Sequence, residues 1–198
     1  MNYLAHAFLS FNEPEILTGN MISDYVKGKK KFDYSAAIQK GIFLHRQIDN
    51  FTDMHDVTAR AKEFFRPDYR LYSGAFIDIV YDHFLANDSS QFESYGGLEK
   101  FSFEMYGLLD KNISLFPEPF KRMYPYLTSQ NWLYNYRLKS GMQKSFQGLV
   151  HRARYLDDST IAFSIFIENY EALQKCYDDF FPSLKDFTIQ TLSNLLAD

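Results

Sequence analysis

The chain has 198 residues, 46% of them hydrophobic and 18% aromatic, which is enough for one substantial core and forces no second domain. A formal net charge of −4 excludes broad nucleic-acid binding driven by overall charge, and no stretch approaches the ~20 apolar residues of a membrane span. Nine Gly and six Pro are too few for a sandwich of many short strands, so the expected class is all-α, a single-domain helical bundle over residues 1–198. Cys176 stands alone and forms no intrachain disulfide, and MNYLAHAFLS carries no basic leader before a long apolar run, so the expected location is cytoplasmic.

In chain order, His6 shares a helical face with Asn2 and Leu9. Asn12-Glu13-Pro14 reads as a cap with proline in the first turn, opening a helix that runs toward Val26 and stops before Gly28. Asp24 lies near the C-terminal end of that helix, where the macrodipole disfavours an anion. It therefore either pairs with Lys27 or Arg46 or belongs to a polar centre. Lys27, Lys29, Lys30 and Lys31 form the one dense charge run, in an expected loop; it is either a solvated loop or a docking patch for an anionic ligand or acidic protein. The next helix spans Tyr34 to about Phe51, with Ile38, Ile42, His45 and Asp49 within roughly 60° of one another at about 100° per residue. Helices are also expected over 56–65 and 69–85, separated by Arg66-Pro67-Asp68, and then over about 98–112, 117–136, 139–151 and 159–196. Pro125 and Pro182 should kink or end theirs, and 86–97 is the one sizeable loop.

Ionisable groups on core-facing positions cost several kcal/mol unless compensated, and a divalent cation is the compensation that His and Asp together suit best. His45 and Asp49 emerge one turn apart on one face and can converge on one ion; an internal His–Asp hydrogen bond meets the same spacing. Asp78 and Asp82 repeat that spacing in FIDIVYDHFL, where two carboxylates repel unless a proton, an Arg or a cation lies between them. His83 points about 100° away from Asp82 on a regular helix. It is either a ligand across the helix shoulder or a hydrogen-bonded core histidine. The stretch Trp132 to Arg137 packs in the core or lines a groove.

In order, MNYLAHAFLS, LTGNMISDYVKG, GIFLHRQIDNFTD and YDHFL resemble the acyl carrier protein phosphodiesterase (acyl carrier protein hydrolase) family, over most of the first 90 residues and more weakly to the C-terminus. The resemblance implies an all-helical fold related to the HD-domain phosphohydrolases, a divalent ion, Mn²⁺ first and Mg²⁺ second, and an acidic partner, acyl carrier protein. The implied reaction removes the 4′-phosphopantetheine arm from the holo carrier. His6 falls in the family's N-x-L-A-H segment, Asp24 in GN-x-x-x-D, His45, Arg46 and Asp49 in HR-x-ID, and Asp82 and His83 in D-H-F-L. The adjacent pair is here Asp-His and follows His45, whereas the usual HD order has an adjacent His-Asp. The expected metal ligands come from His6, Asp24, His45, Asp82 and His83. Arg46, Asp49 and Asp78 are expected to act on the phosphoryl group, the ligands or a proton, and the lysine loop to steer the carrier. A phosphohydrolase of HD type acting on a nucleotide or other small phosphate, and a non-catalytic helical module, are the alternatives.

Overall fold

The computed structural model describes residues 1–92 and 96–197, and within these the chain is helical with no strand, as the composition predicts. The elements are α1 (Tyr3–Phe8), α2 (Pro14–Ile22), α3 (Ala36–Met54), α4 (Asp56–Glu63), α5 (Arg66–Tyr69), α6 (Ser73–Asn87), α7 (Gly97–Asp110), α8 (Glu118–Ser129), α9 (Trp132–Asn135), α10 (Lys139–Arg152), α11 (Thr160–Glu168) and α12 (Tyr170–Ala197). None of these helices is long and apolar enough to cross a membrane. Part of the expected 86–97 loop, residues 93–95, lies outside the described residues.

Several expected helices are divided at single residues. The helix expected to reach Val26 ends at Ile22 and tightens into a 3₁₀ turn over Ser23–Tyr25, and the lysine run forms a second 3₁₀ segment, Gly28–Asp33. The span 117–136 breaks at Asn131, whose φ of 43° is left-handed, and whose side chain then caps α9 by accepting from the Tyr134 N–H. The span 159–196 breaks at Asn169, between α11 and α12. Arg70, with φ 45°, delays the start of α6 to Ser73. Pro125 and Pro182, by contrast, stay inside α8 and α12. Both are exposed, so water can satisfy the carbonyl that each leaves without an N–H partner.

Two packing features place the functional residues. The first is the crossing of α2 on α3, which runs through Gly19 and Gly41. A Cβ on Gly19 would lie 2.1 Å from the Ile38 carbonyl oxygen, and one on Gly41 would lie 2.3 Å from that of Ile16. Only backbone fits there, and the close approach brings the Asn20 carbonyl to 2.8 Å from His45 Nδ1. The second feature is the seat of α1. Six residues are too few for a stable isolated helix, but α1 lies in the core with Leu4, Ala5 and Ala7 fully buried. Its N-terminus is received by the fully buried Asp82 of α6, whose carboxylate accepts from the Leu4 N–H at 2.7 Å, from Ala5 at 3.2 Å and from Asn2 at 3.3 Å.

The α2–α3 contact yields a stability prediction. Gly41→Ala should destabilise the protein by about 3 kcal/mol or more, since the methyl meets main chain and neither helix can yield by a rotamer change. Urea unfolding checks this, and Gly107→Ala is the control, because a Cβ added there would meet nothing within 4 Å.

Candidate metal centre

The centre lies where α1, α2 and α3 meet. His6, His45 and Asp49 each offer one ligand atom, all within 4.8 Å of one another, and among the described residues this is the one group of its kind. Asp49 is the hub. His6 Nε2 lies 3.2 Å from its Oδ1, His45 Nε2 lies 3.1 Å from its Oδ2, and the Met1 α-ammonium lies 3.3 Å from Oδ1. The two imidazoles stack face to face with centroids 3.9 Å apart. Asp24, its side chain 72% exposed, places Oδ1 3.1 Å from His45 Nε2, and so contacts the same nitrogen as Asp49 does.

The donors fit a cation. Both ring nitrogens of the buried His6 lack a hydrogen-bond partner, even though Nε2 is close to a carboxylate. Burying imidazole nitrogens without partners is costly, and a metal ion would use one of the two. On His45, the Nδ1–H donates to the Asn20 carbonyl, which fixes the tautomer and leaves the Nε2 lone pair directed at the carboxylates. Imidazole nitrogens and carboxylate oxygens together suit a divalent first-row ion, and a three-residue set with an exposed side resembles catalytic rather than closed structural sites.

Without metal, the charges divide unequally. Burial lowers both histidines, but the carboxylates of Asp24 and Asp49, which accept from His45 Nε2–H, reverse this at His45, which rises to about 9. His6 falls to about 4, through burial and then the charge of His45. Burial pushes the Asp49 carboxyl up, yet the Met1 ammonium and the two histidines outweigh it and hold the group well below the usual carboxylate range. Asp24 is also lowered, chiefly by its hydrogen bond to His45. The Met1 ammonium bridges Asp49 and Asp78, the latter at 3.0 Å, and burial leaves Asp78 raised despite that contact.

The expected site residues are thus only partly brought together. His6, His45 and Asp24 converge, and Asp49, expected to orient or accept, offers a possible ligand atom itself. Asp82 and His83 lie outside this group and have other partners. Both Asp82 oxygens are engaged by the N–H groups of α1. The His83 ring lies against the Tyr136 carbonyl at 2.7 Å (Nδ1) and the Tyr170 hydroxyl at 2.9 Å (Nε2), facing α10–α12. Their roughly 100° separation on α6 sends one toward α1 and the other away from it. Arg46 is exposed and donates from Nη2 to the Val26 carbonyl at 3.1 Å, at the base of the lysine segment. Reading the sequence missed Asn20, whose carbonyl holds His45 and whose Nδ2 donates to the His6 carbonyl at 2.9 Å and to Ser10 Oγ at 3.0 Å. An amide side chain inside an otherwise apolar helix was the available signal.

Among the described residues, the all-helical chain thus carries one partly open His–His–Asp group of a kind that could hold a metal ion. The family model for acyl carrier protein phosphodiesterase matches residues 1–184, and the chain belongs to that family. It is 30% identical to the acyl carrier protein phosphodiesterase of Enterobacter sp. (strain 638), over 93% of this chain and 95% of that one. It is likewise 30% identical to that of Klebsiella pneumoniae (strain 342), with the same coverage, and 27% identical to that of Photorhabdus laumondii, over 94% of each chain. No solved structure gives a significant match.

The raised His45 predicts a pH dependence of stability. A histidine whose folded value is about 9 against an unfolded 6.5 contributes stability fully present below pH 6.5 and lost as pH rises through 9. The metal-free protein should therefore lose about 2–3 kcal/mol from this group between pH 6.5 and 9. Calorimetric melting across that window, with His45→Gln as the reference that lacks this slope, measures it.

Proposed function

We propose that this chain is a divalent-metal-dependent phosphodiesterase that hydrolyses the 4′-phosphopantetheine arm from holo acyl carrier protein and leaves the apo carrier. Family membership supports the substrate class. The observation that carries the metal is His6, a buried imidazole with two unpartnered nitrogens beside the carboxylate that also receives His45. In this reading His6, His45 and Asp49 hold the ion, with Asp24 at its exposed edge, and the ion is Mn²⁺ or Mg²⁺.

When bound, the ion supplies Lewis-acid polarisation of the phosphoryl group and activation of water. The chain's residues do the rest. Water oxygen forms the new bond to phosphorus as the bond from phosphorus to the carrier's serine oxygen breaks. Asp24 is ionised and exposed, with its second oxygen free of the His45 contact, so it is placed to accept the proton that water gives up. The serine oxygen leaves with a proton from solvent. Arg46 spends one of its donors on Val26 and has the others available for the phosphoryl oxygens. Asp78 acts through the Met1 ammonium as a positioning group for Asp49, and Asp82 acts through α1 as one for His6.

The lysine segment follows Asp24 within seven residues, and Lys27, Lys29 and Lys30 are exposed. That places positive charge next to the open edge of the centre, where an acidic carrier would approach. Changing Lys29, Lys30 and Lys31 together to Glu should lower kcat/KM for the holo carrier about 10-fold or more at low salt and much less at about 0.5 M salt, with the far-ultraviolet circular dichroism unchanged. An unchanged rate at low salt would place docking elsewhere.

The reaction is tested directly by incubating the purified protein with holo carrier and Mn²⁺, when mass spectrometry should find apo carrier and free 4′-phosphopantetheine. Chelation should stop the reaction and added metal should restore it. His45→Ala should lower the rate at least about 100-fold while metal binding is lost. Conversion in verified absence of metal, or full activity of folded His45→Ala, would sink this reading. Hydrolysis of a nucleotide in place of the carrier would favour the small-phosphate alternative.

A further inference from the structure

A cavity of about 450 Å³ opens between the start of α1, α9 and α10. Its size falls within the roughly 300–1,000 Å³ of small-molecule pockets. The α10 wall is built by Gly141, Lys144, Ser145, Gly148 and Arg152, a helical face of small residues interrupted by two cations. Gly141 is required for that wall, because a Cβ there would lie 2.0 Å from the Asn135 carbonyl oxygen and would force α10 away from α9. No carboxylate lines the cavity, and neither Lys144 nor Arg152 has an ion-pair partner among the described residues, so its charge is unbalanced and positive. Tyr136, only 3% exposed, also lines it, and among the described residues its hydroxyl makes no hydrogen bond. Trp132 and Ile79 add apolar surface.

His6, Asp24, His45 and Asp49 do not line the cavity, but at one end its lining includes chain neighbours of the residues around the metal centre. Asn2 and Tyr3 line it, and His6 follows Tyr3 by about one helical turn, roughly 5 Å along the axis. The Tyr3 hydroxyl lies 2.9 Å from that of Tyr25, the neighbour of Asp24. Ile79 follows Asp78, which shares the Met1 ammonium with Asp49. A ligand lying here would have its body along α10 and one end at Asn2 and Tyr3, on the side of α1.

We propose that this cavity is the receptor for the substrate's arm, an elongated phosphate ester with an amide-bearing chain, with Arg152 at the phosphate end and Tyr136, Trp132 and Ile79 along the chain. The proposal rests on the phosphodiesterase reading and adds where the prosthetic group lies and which side chains select it. A bare phosphate would use Arg152 and leave the apolar wall unused. A nucleotide would present a rigid flat base to a groove whose floor is one helix face.

Gly148→Met tests it by filling the cavity. A Cβ on Gly148 meets only the Arg152 guanidinium, at 3.7 Å, so the substitution has room and removes a helix-interior glycine. Calorimetric titration of the protein with free 4′-phosphopantetheine should register binding that Gly148→Met weakens at least about 10-fold, with melting temperature not lowered and metal content unchanged. Arg152→Gln, on an exposed side chain, should weaken 4′-phosphopantetheine but leave dephosphorylated pantetheine unaffected. Equal binding by parent and Gly148→Met overturns the proposal, as does inorganic phosphate competing as well as the whole arm. If the parent hydrolyses holo carrier and the filled variant does so with the same KM and kcat, the cavity assignment fails and the phosphodiesterase reading stands. If the parent binds the arm, the filled variant does not, and no carrier is cleaved, the cavity assignment stands and that reading fails.

Discussion

The buried carboxylate of Asp82 is the interaction on which the centre depends. Three backbone N–H groups of residues 2, 4 and 5 converge on it, so a six-residue segment with little helical stability of its own is fixed in the core. Burial raises the Asp82 carboxyl to about 7, against the pull of those N–H groups and of the Met1 ammonium. The same contacts that place α1 thus offset only part of the cost of burying it. Once α1 is seated, His6 has one orientation over His45, and Met1 lies between Asp49 and Asp78.

The second constraint comes from the opposite side. The glycine contact of α2 on α3 sets how far Asn20 stands from His45, and Asn20 then joins the two halves, with its carbonyl on His45 and its amide on the His6 carbonyl. One histidine is therefore held by tautomer and the other by backbone position. The result is a pair of parallel rings in contact, an arrangement that repels if both are protonated. The division into a lowered His6 and a raised His45 relieves that repulsion in the metal-free protein.

Much of this was legible in the sequence because it depends on period. The shared face of His45 and Asp49 follows from spacing in an apolar helix, the all-helical class from composition and the oddity of Asp24 from its place at a helix end, whereas His6 joined the expected site only through the family resemblance. The division of labour on α6 did not. Asp82 and His83 are adjacent in sequence, and nothing in their spacing tells that one faces the N-terminus of another helix and the other faces two tyrosines about 50 and 90 residues away. The breaks at Asn131 and Asn169 were missed for a related reason: asparagine tolerates both helix and turn, and the tertiary contacts around it decide between them. The α10 wall of the cavity escaped notice because glycine, serine and lysine at helical spacing look like an exposed face until α9 is laid against it.

The centre is closed behind and open in front, and the two sides carry different chemistry. The histidines are nearly inaccessible, with side-chain exposures of 4% and 7%, whereas Asp49 and Asp24 are exposed by 38% and 72%. At the back the Asn20 carbonyl orients His45, whereas the Met1 ammonium neutralises Asp49 at the same oxygen that an ion would use, so an ion there would have to displace that contact. At the front, the carboxylates are next to a cationic 3₁₀ segment tethered through Arg46 and Val26. At the side, the start of α1 leads into the positively charged cavity along α10. Under the proposed reading, a protein and its prosthetic arm would be gripped by separate surfaces that meet only at the phosphorus. Binding energy from both could then be used to hold one bond in line with the attacking water, and a short phosphate ester lacking either part would forfeit that alignment.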